Sequence, residues 1–246
     1  MQLLSATLLL VSLLLDSRRI FHQHLYTSSQ KMADEIVLNY HDSILRKSDV
    51  RILEGPYWLN DTVIAFYLEY LEKEKYGETD LLLISPSVTQ CLKASHEKQI
   101  PDFLDPLHAK NKSFVFMPFN DCMGFVSPGG THWSLLVFSK SERKFYHFDS
   151  SSCSVSGMQA HELARKLESY FGLTNAQIKY MESLQQDNSY DCGIYVLCNI
   201  ENIAFHILKT GTIESVQKLK KVNVSSKRHE LLELINQLSQ SHHDTE

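Results

Sequence analysis

Three residue types that nucleophilic acyl transfer requires stand at informative places in this chain. Cys192 lies where the polar stretch QQDNSYD, residues 185–191, gives way to the apolar run CGIYVLCNIENIAFHIL. A thiol in the first turn of a helix faces backbone N–H groups that have no intrahelical partner, and it faces the positive end of the helix dipole. Both favour the thiolate, the form that attacks a carbonyl carbon. Gly193 beside it is expected to let a substrate backbone approach closely. Cys198, deeper in the run among Val196, Leu197 and Ile200, reads as core.

A nucleophilic thiol needs a base, and the base needs an orienting group. His132 follows the glycine-rich stretch NDCMGFVSPGG and opens the strand HWSLLVFS. Asp149 closes the following strand, KFYHFDS, seventeen positions further on. Whether the two meet depends on strand register, which the sequence leaves open. The allowed geometry has His132 facing the thiol and Asp149 receiving its other ring N–H. Gln186, six positions before Cys192, is within reach of a developing oxyanion beside the Cys192 N–H. Trp58 and Trp133 are the only tryptophans. Their planes are expected to form a slot that admits only glycine at the scissile end.

Each feature has a bland counterpart. A Cys-Gly pair at a helix start is more often structural, and His132 reads equally as a buried, hydrogen-bonded histidine. Asp149 reads as a turn cap and Gln186 as a surface amide. The remaining histidines are scattered, with no HExxH pattern and no metal set, so neither a metal nor a cofactor is expected. His147, two positions from Asp149, is the decoy for the base.

These residues must be positioned by a mixed set of elements. Residues 36–45 read as a strand edge running toward a helix, broken by Gly55-Pro56. Asn60 or Asp61 is a fair N-cap for TVIAFYLEYLEKE, whose Val63, Ile64, Tyr67, Tyr70 and Leu71 recur at helical spacing. Ser85-Pro86 opens a second helix, over about residues 86–95. Residues 113–119, 132–139 and 144–150 read as strands, the last two joined by the hairpin link SERK. Helices are expected over 158–171, from Cys192 onward, and over 212–220 and 226–239, with a short strand at 177–182. Alternation in the strands is partial, so at least one is expected to be buried on both faces.

The 246 residues are 43 % hydrophobic and 22 % charged, with a net charge of −5. That suits one large α+β domain with a real core, from about residue 32 to the end. No Lys/Arg block exists, so nucleic acid is not an expected partner. Five cysteines leave at least one thiol unpaired, and none stands in a CxxC pair, which favours a reducing compartment. Against this, residues 2–15 read QLLSATLLLVSLLL, similar to the apolar part of a signal peptide. The run lacks a preceding basic residue and a cleavage site, and it is short for a membrane span. Residues 1–31 are therefore read as an extension, with Met32 a natural start and no membrane role.

Several stretches together resemble the Ulp/sentrin-specific cysteine protease family. They are Trp58-Leu59-Asn60-Asp61, then Gly130-Thr131-His132-Trp133-Ser134-Leu135-Leu136, Phe148-Asp149-Ser150, and Gln186 with Asn188-Ser189-Tyr190-Asp191-Cys192-Gly193. The order His, Asp, Gln, Cys is that family's order. The opening IVLNYHDSILRKSDV and the NSYDCG segment are most similar to its deneddylase branch. The resemblance implies a papain-like fold and thiol-dependent cleavage after the C-terminal Gly-Gly of the Nedd8 modifier, on cullins, other proteins and the modifier's precursor. It implies Cys192 as nucleophile, His132 as base, Asp149 as its orienter and Gln186 at the oxyanion. Trp58, Asp61, Trp133, Asn188 and Gly193 would meet the modifier's tail, and the loop from Asn120 to Gly130 would cover it. The protein would act as a monomer in cytoplasm and nucleus. A protease for SUMO or another ubiquitin-like modifier, a non-catalytic modifier-binding module and an acyltransferase are the competing readings.

Overall fold

Two strands open the described part of the chain, paired as a tight hairpin. The computed structural model describes residues 34–122, 130–151 and 154–243. The expected extension, the start at Met32, and Phe125 and Pro128 of the expected covering loop lie outside these residues. The unit described runs from Ile36. In it β1 (Ile36–Tyr40) pairs antiparallel with β2 (Ser43–Arg46), with Tyr40 opposite Ser43. His41 takes φ 47° to make the two-residue turn.

Helix α1 (Lys47–Glu54) follows directly and was not expected as an element of its own. Asp49 in its first turn accepts from the Arg46 N–H at 2.9 Å, and Gly55 ends it. Asn60, not Asp61, caps α2 (Asp61–Leu71), accepting from the Val63 N–H at 2.9 Å. Its other end is tied down, since Asn60 Nδ2 donates to Asp49 at 2.7 Å. After one π-helical turn come β3 (Leu81–Leu83), α3 (Pro86–Ala94), capped by Ser85 with proline in its first turn, and α4 (Ile100–Leu104).

The functional elements sit on a five-stranded sheet of order β3-β4-β5-β6-β7. Strand β5 (Trp133–Ser139) runs antiparallel to both its neighbours, β4 (Phe114–Asn120) and β6 (Lys144–Phe148). Helix α5 (Ser154–Leu167) leads to β7 (Gln177–Tyr180), which joins the far edge in parallel with β6. β5 is buried at every position, as a central strand between two helical layers must be. Its Leu135 and Val137 face one core, shared with α2 and the long α6 (Cys192–Thr210). Leu136 and Phe138 face the other, shared with α3, α4 and α5.

Helix α6 ends at Gly211, whose φ of 73° is left-handed. The helix expected over 212–220 does not form. The Glu142 carboxylate of the β5–β6 hairpin takes the Thr212 hydroxyl at 2.6 Å and the Ile213 N–H at 3.2 Å. Those contacts hold the chain in a turn that a helix would break. The short α7 (Lys221–Ser225) and α8 (Lys227–His243) follow.

Candidate active site

The β5–β6 register decides the pairing that the sequence left open. Leu135 stands opposite Phe148, so His132 just before β5 and Asp149 just after β6 emerge at the same end of the sheet. Their side chains meet, with His132 Nε2 2.6 Å from Asp149 Oδ1. The pair is nearly enclosed, at 11 % and 13 % side-chain exposure. Asp149 Oδ1 also accepts the Ser151 N–H at 2.8 Å, and its Oδ2 accepts the Ser156 hydroxyl from the first turn of α5. Burial opposes ionisation of this carboxyl, but the hydrogen bonds from His132 and Ser156 outweigh it and hold it below the usual carboxylate range.

His132 is held from behind by a residue that the sequence reading missed. Asp121 accepts from the His132 N–H at 3.0 Å and from the Thr131 hydroxyl at 2.8 Å, and its own N–H donates to the His132 carbonyl at 3.0 Å. It clasps the two ends of the 122–130 segment. Gly130 completes the clasp with φ +99°, where a Cβ would lie 1.5 Å from Asn120 Oδ1. An Asp eleven positions upstream of a candidate base carries no local signal for this role.

Cys192 is 1 % exposed at the first position of α6, and its thiol is hydrogen-bonded to His132. Since Nε2 belongs to Asp149, Nδ1 is the ring nitrogen left for sulfur. Burial by itself would favour the neutral ring. The hydrogen bonds to Asp149 and Cys192 and the two negative charges override it, raising the His132 pKa to about 10. The decoy His147 behaves oppositely. Its ring is 3 % exposed, shares a 3.1 Å hydrogen bond with Ser134 and stacks on Phe119, and burial lowers its pKa to about 4. It remains a neutral core histidine at physiological pH.

The raised His132 pKa carries a stability prediction. Between 6.5 and about 10 the folded protein holds a proton that the unfolded chain has released, so stability falls with rising pH across that window. The slope should be at most about 1.4 kcal/mol per pH unit. Urea unfolding at a series of pH values checks it, and a His132→Gln protein should show a flatter profile.

The loop before Cys192 is built by Asn188. Its Oδ1 accepts the N–H groups of Tyr190 (3.0 Å) and Asp191 (2.9 Å), and its Nδ2 donates to Asp191 Oδ2 at 2.8 Å. The Asn188 side chain, expected to meet substrate, is thus spent on shaping the loop. Gln186 Oε1 accepts from the Ser150 hydroxyl and its Nε2 donates to the Asn188 carbonyl, each at 2.7 Å. One hydrogen of that amide is therefore committed to the loop.

The tryptophans are anchored to the segments that carry the chemistry. Trp58 is 47 % exposed, and its indole N–H is donated to the Ser189 carbonyl. Trp133 is 8 % exposed and donates to the Leu59 carbonyl at 2.9 Å. Trp133→Ala is expected to cost about 3–5 kcal/mol of stability by urea unfolding, as for other buried aromatics. Gly193, expected to meet substrate, has a packing reason of its own. A Cβ there would lie 2.9 Å from Leu59 Cβ, so packing of α6 against the Trp58–Asn60 segment demands glycine. Asp61 is exposed in the first turn of α2, three positions past Trp58.

A helix-borne thiol set against a histidine and an aspartate at one end of the sheet, in an α+β frame, defines a papain-like cysteine protease. Residues 57–242 match the Ulp1 protease family, C-terminal catalytic domain, and the chain belongs to that family. It is 40 % identical over 211 residues to sentrin-specific protease 8 of Homo sapiens, covering 84 % of this chain and 99 % of that protein. It is 34 % identical to NEDD8-specific protease 1 of Arabidopsis thaliana, covering 83 % and 94 %. Among solved structures, the Ulp1 protease domain in complex with Smt3, the yeast ortholog of SUMO, superposes with TM-score 0.64 at 17 % identity, covering 88 % and 94 %. The protein is thus a thiol-dependent protease of a family that associates with ubiquitin-like modifiers.

Proposed function

We propose that this protein cleaves after the C-terminal Gly-Gly of Nedd8, releasing it from cullins and other proteins and trimming its precursor. The enclosed His132–Asp149 contact at 2.6 Å behind Cys192 carries the chemistry. The choice of modifier is supported by a relative named for NEDD8 that is matched along 94 % of its length. Cys192 sulfur attacks the carbonyl carbon of the last glycine, and the carbonyl electrons move to oxygen. The Cys192 N–H and the second Nε2 hydrogen of Gln186 receive that oxyanion. His132 gives its proton to the departing amine, and a thioester remains. His132 then takes a proton from water, which attacks the thioester and frees the glycine carboxylate and the thiol. Asp149 keeps the ring oriented throughout. Trp58, exposed beside the Cys192 loop, lies over the tail, with Trp133 fixed beneath it and Asp61 at the channel's edge. The same reading assigns the enzyme to the cytoplasm and nucleus, a location that fractionation of cells would check.

The test is reaction of the full chain with Nedd8, SUMO and ubiquitin, each ending in a thiol-reactive group, read by intact mass. An adduct mainly with Nedd8, absent in Cys192→Ala, is the expected result. An adduct mainly with SUMO would keep the chemistry and overturn the modifier. No adduct from a folded sample would overturn both. In the same assay format, Trp58→Ala should lower kcat/KM about tenfold or more while changing stability by less than about 1 kcal/mol, because half of that indole already lies in solvent.

A further inference from the structure

The residue at the N-cap of α6 is an aspartate that does not cap its helix. Asp, Asn and Ser at this position ordinarily accept an N–H from the first turn. Asp191, immediately before Cys192, makes no such bond, and its φ of −93° and ψ of 5° depart from the extended conformation typical of a cap. Its carboxylate is turned the other way. Oδ1 receives Arg228 Nε at 2.9 Å and Nη2 at 2.8 Å, and Oδ2 receives Asn188 Nδ2 at 2.8 Å.

Arg228 lies on α8, far along the chain, and its fork reaches two further acceptors. Nη1 donates to the Ile52 carbonyl at 2.8 Å, near the end of α1, and Nη2 to the Tyr57 carbonyl at 2.6 Å, next to Trp58. The guanidinium also sits 5.6 Å from the centre of the Tyr190 ring. Guanidinium and carboxylate are 17 % and 18 % exposed, so neither is freely solvated. A lysine has neither the geometry nor the donor count for this set of acceptors.

We propose that Arg228 is a positioning residue of the active site, drawing the Asp191 carboxylate off the start of α6. The first N–H groups of that helix then stay available to the oxyanion, and negative charge beside the Cys192 thiolate is compensated. Without Arg228 the carboxylate would be free to swing onto those donors as an ordinary cap, filling the place of the oxyanion and repelling the thiolate. The inference rests on the thiol-protease reading and is independent of which modifier is cut. A purely structural Arg228 would instead only staple α1, the Trp58 segment and the nucleophile loop together.

A double-substitution cycle separates these accounts. In the full chain, the rate of Cys192 alkylation by iodoacetamide at neutral pH is followed by peptide mass, which needs no modifier. Arg228→Ala is expected to slow it about tenfold, the scale of a charge interaction at a helix start. Adding Asp191→Ala to Arg228→Ala should return the rate to within about threefold of the starting protein, because the harm comes from the released carboxylate. On a cleavable modifier conjugate the Arg228→Ala loss should fall on kcat and leave KM within about twofold. An unchanged rate in Arg228→Ala would overturn the proposal. So would a double variant as slow as the single one with native circular dichroism. If Arg228→Ala does not fold, Arg228→Gln carries the same cycle with one donor kept for Ile52. Failure of the Nedd8 assignment would show separately, as normal alkylation with no Nedd8 adduct.

Discussion

Cys192→Ala is expected to reduce turnover by about 10⁴-fold or more while leaving modifier binding nearly intact. The thiol is 1 % exposed and hydrogen-bonded to His132, so its work is bond-making and it offers little surface to a partner. No other thiol on the helix substitutes for it. Cys198 donates to the Asn223 carbonyl at 3.3 Å, and burial pushes its pKa up to about 12, which keeps it a protonated core residue. Cys198→Ala should therefore retain turnover wherever the fold is retained. Single-turnover cleavage paired with calorimetric titration of the modifier measures both halves of the expectation. Turnover surviving in Cys192→Ala would remove this residue from the nucleophile's role.

Asp149→Asn should lower kcat by about 10³–10⁴-fold, the scale seen when the orienting acid of such a line becomes an amide. Asp149 is an acceptor on every side, taking His132 Nε2, the Ser151 N–H and the Ser156 hydroxyl. An asparagine has one oxygen for these donors. Its NH₂ must face either Ser156 or His132. Facing His132, it would demand a ring nitrogen without a proton and so turn the tautomer the wrong way for the thiol. It also removes a charge that keeps His132 protonated, so the stability lost between pH 6.5 and about 10 should shrink with it. The volume of the side chain hardly changes, so substrate binding should survive. Kinetics unchanged in Asp149→Asn would mean that another group orients His132. With His147 committed to Ser134 and its pKa lowered by burial, that residue is a poor replacement.

The clasp around His132 and the fork at Arg228 share a design. In each, a charged side chain outside the catalytic line holds a segment that carries one of its residues. Asp121 holds the His132 amide, and Arg228 with Asn188 holds the turn before Cys192. Helix α6 supplies the rigid side of the site through its fully buried Ile194, Leu197, Ile200 and Ile203. Each such side chain contributes about 1.5–3 kcal/mol, more than the cap that Asp191 forgoes.

What the sequence determined by itself was local or chemical. Asn60 before an apolar-periodic run and Ser85 before Pro86 marked helix starts, because a cap and its first turn are neighbours in the chain. The change from QQDNSYD to an apolar run placed Cys192 at a helix start for the same reason. The joint match of Trp58–Asp61, Gly130–Leu136, Phe148–Ser150 and Gln186–Gly193, with His132, Asp149, Gln186 and Cys192 in the family's order, carried the resemblance. Where local signals were short or competed, the reading failed. Three consecutive buried leucines made β3 with no period to reveal it, and the helix expected over 212–220 lost to Glu142.

The tertiary structure alone decided which residues meet. Strand register brought His132 to Asp149, and a slip of one residue would have sent them to opposite faces. Close packing gave the space beside Gly193 to Leu59. The Arg228 fork joins backbone of residues 176 and 171 positions away to an acid 37 positions away. Contacts at such separations exist only after the sheet and both helical layers have assembled. They depend on the summed packing of the whole core, and no window of sequence contains them.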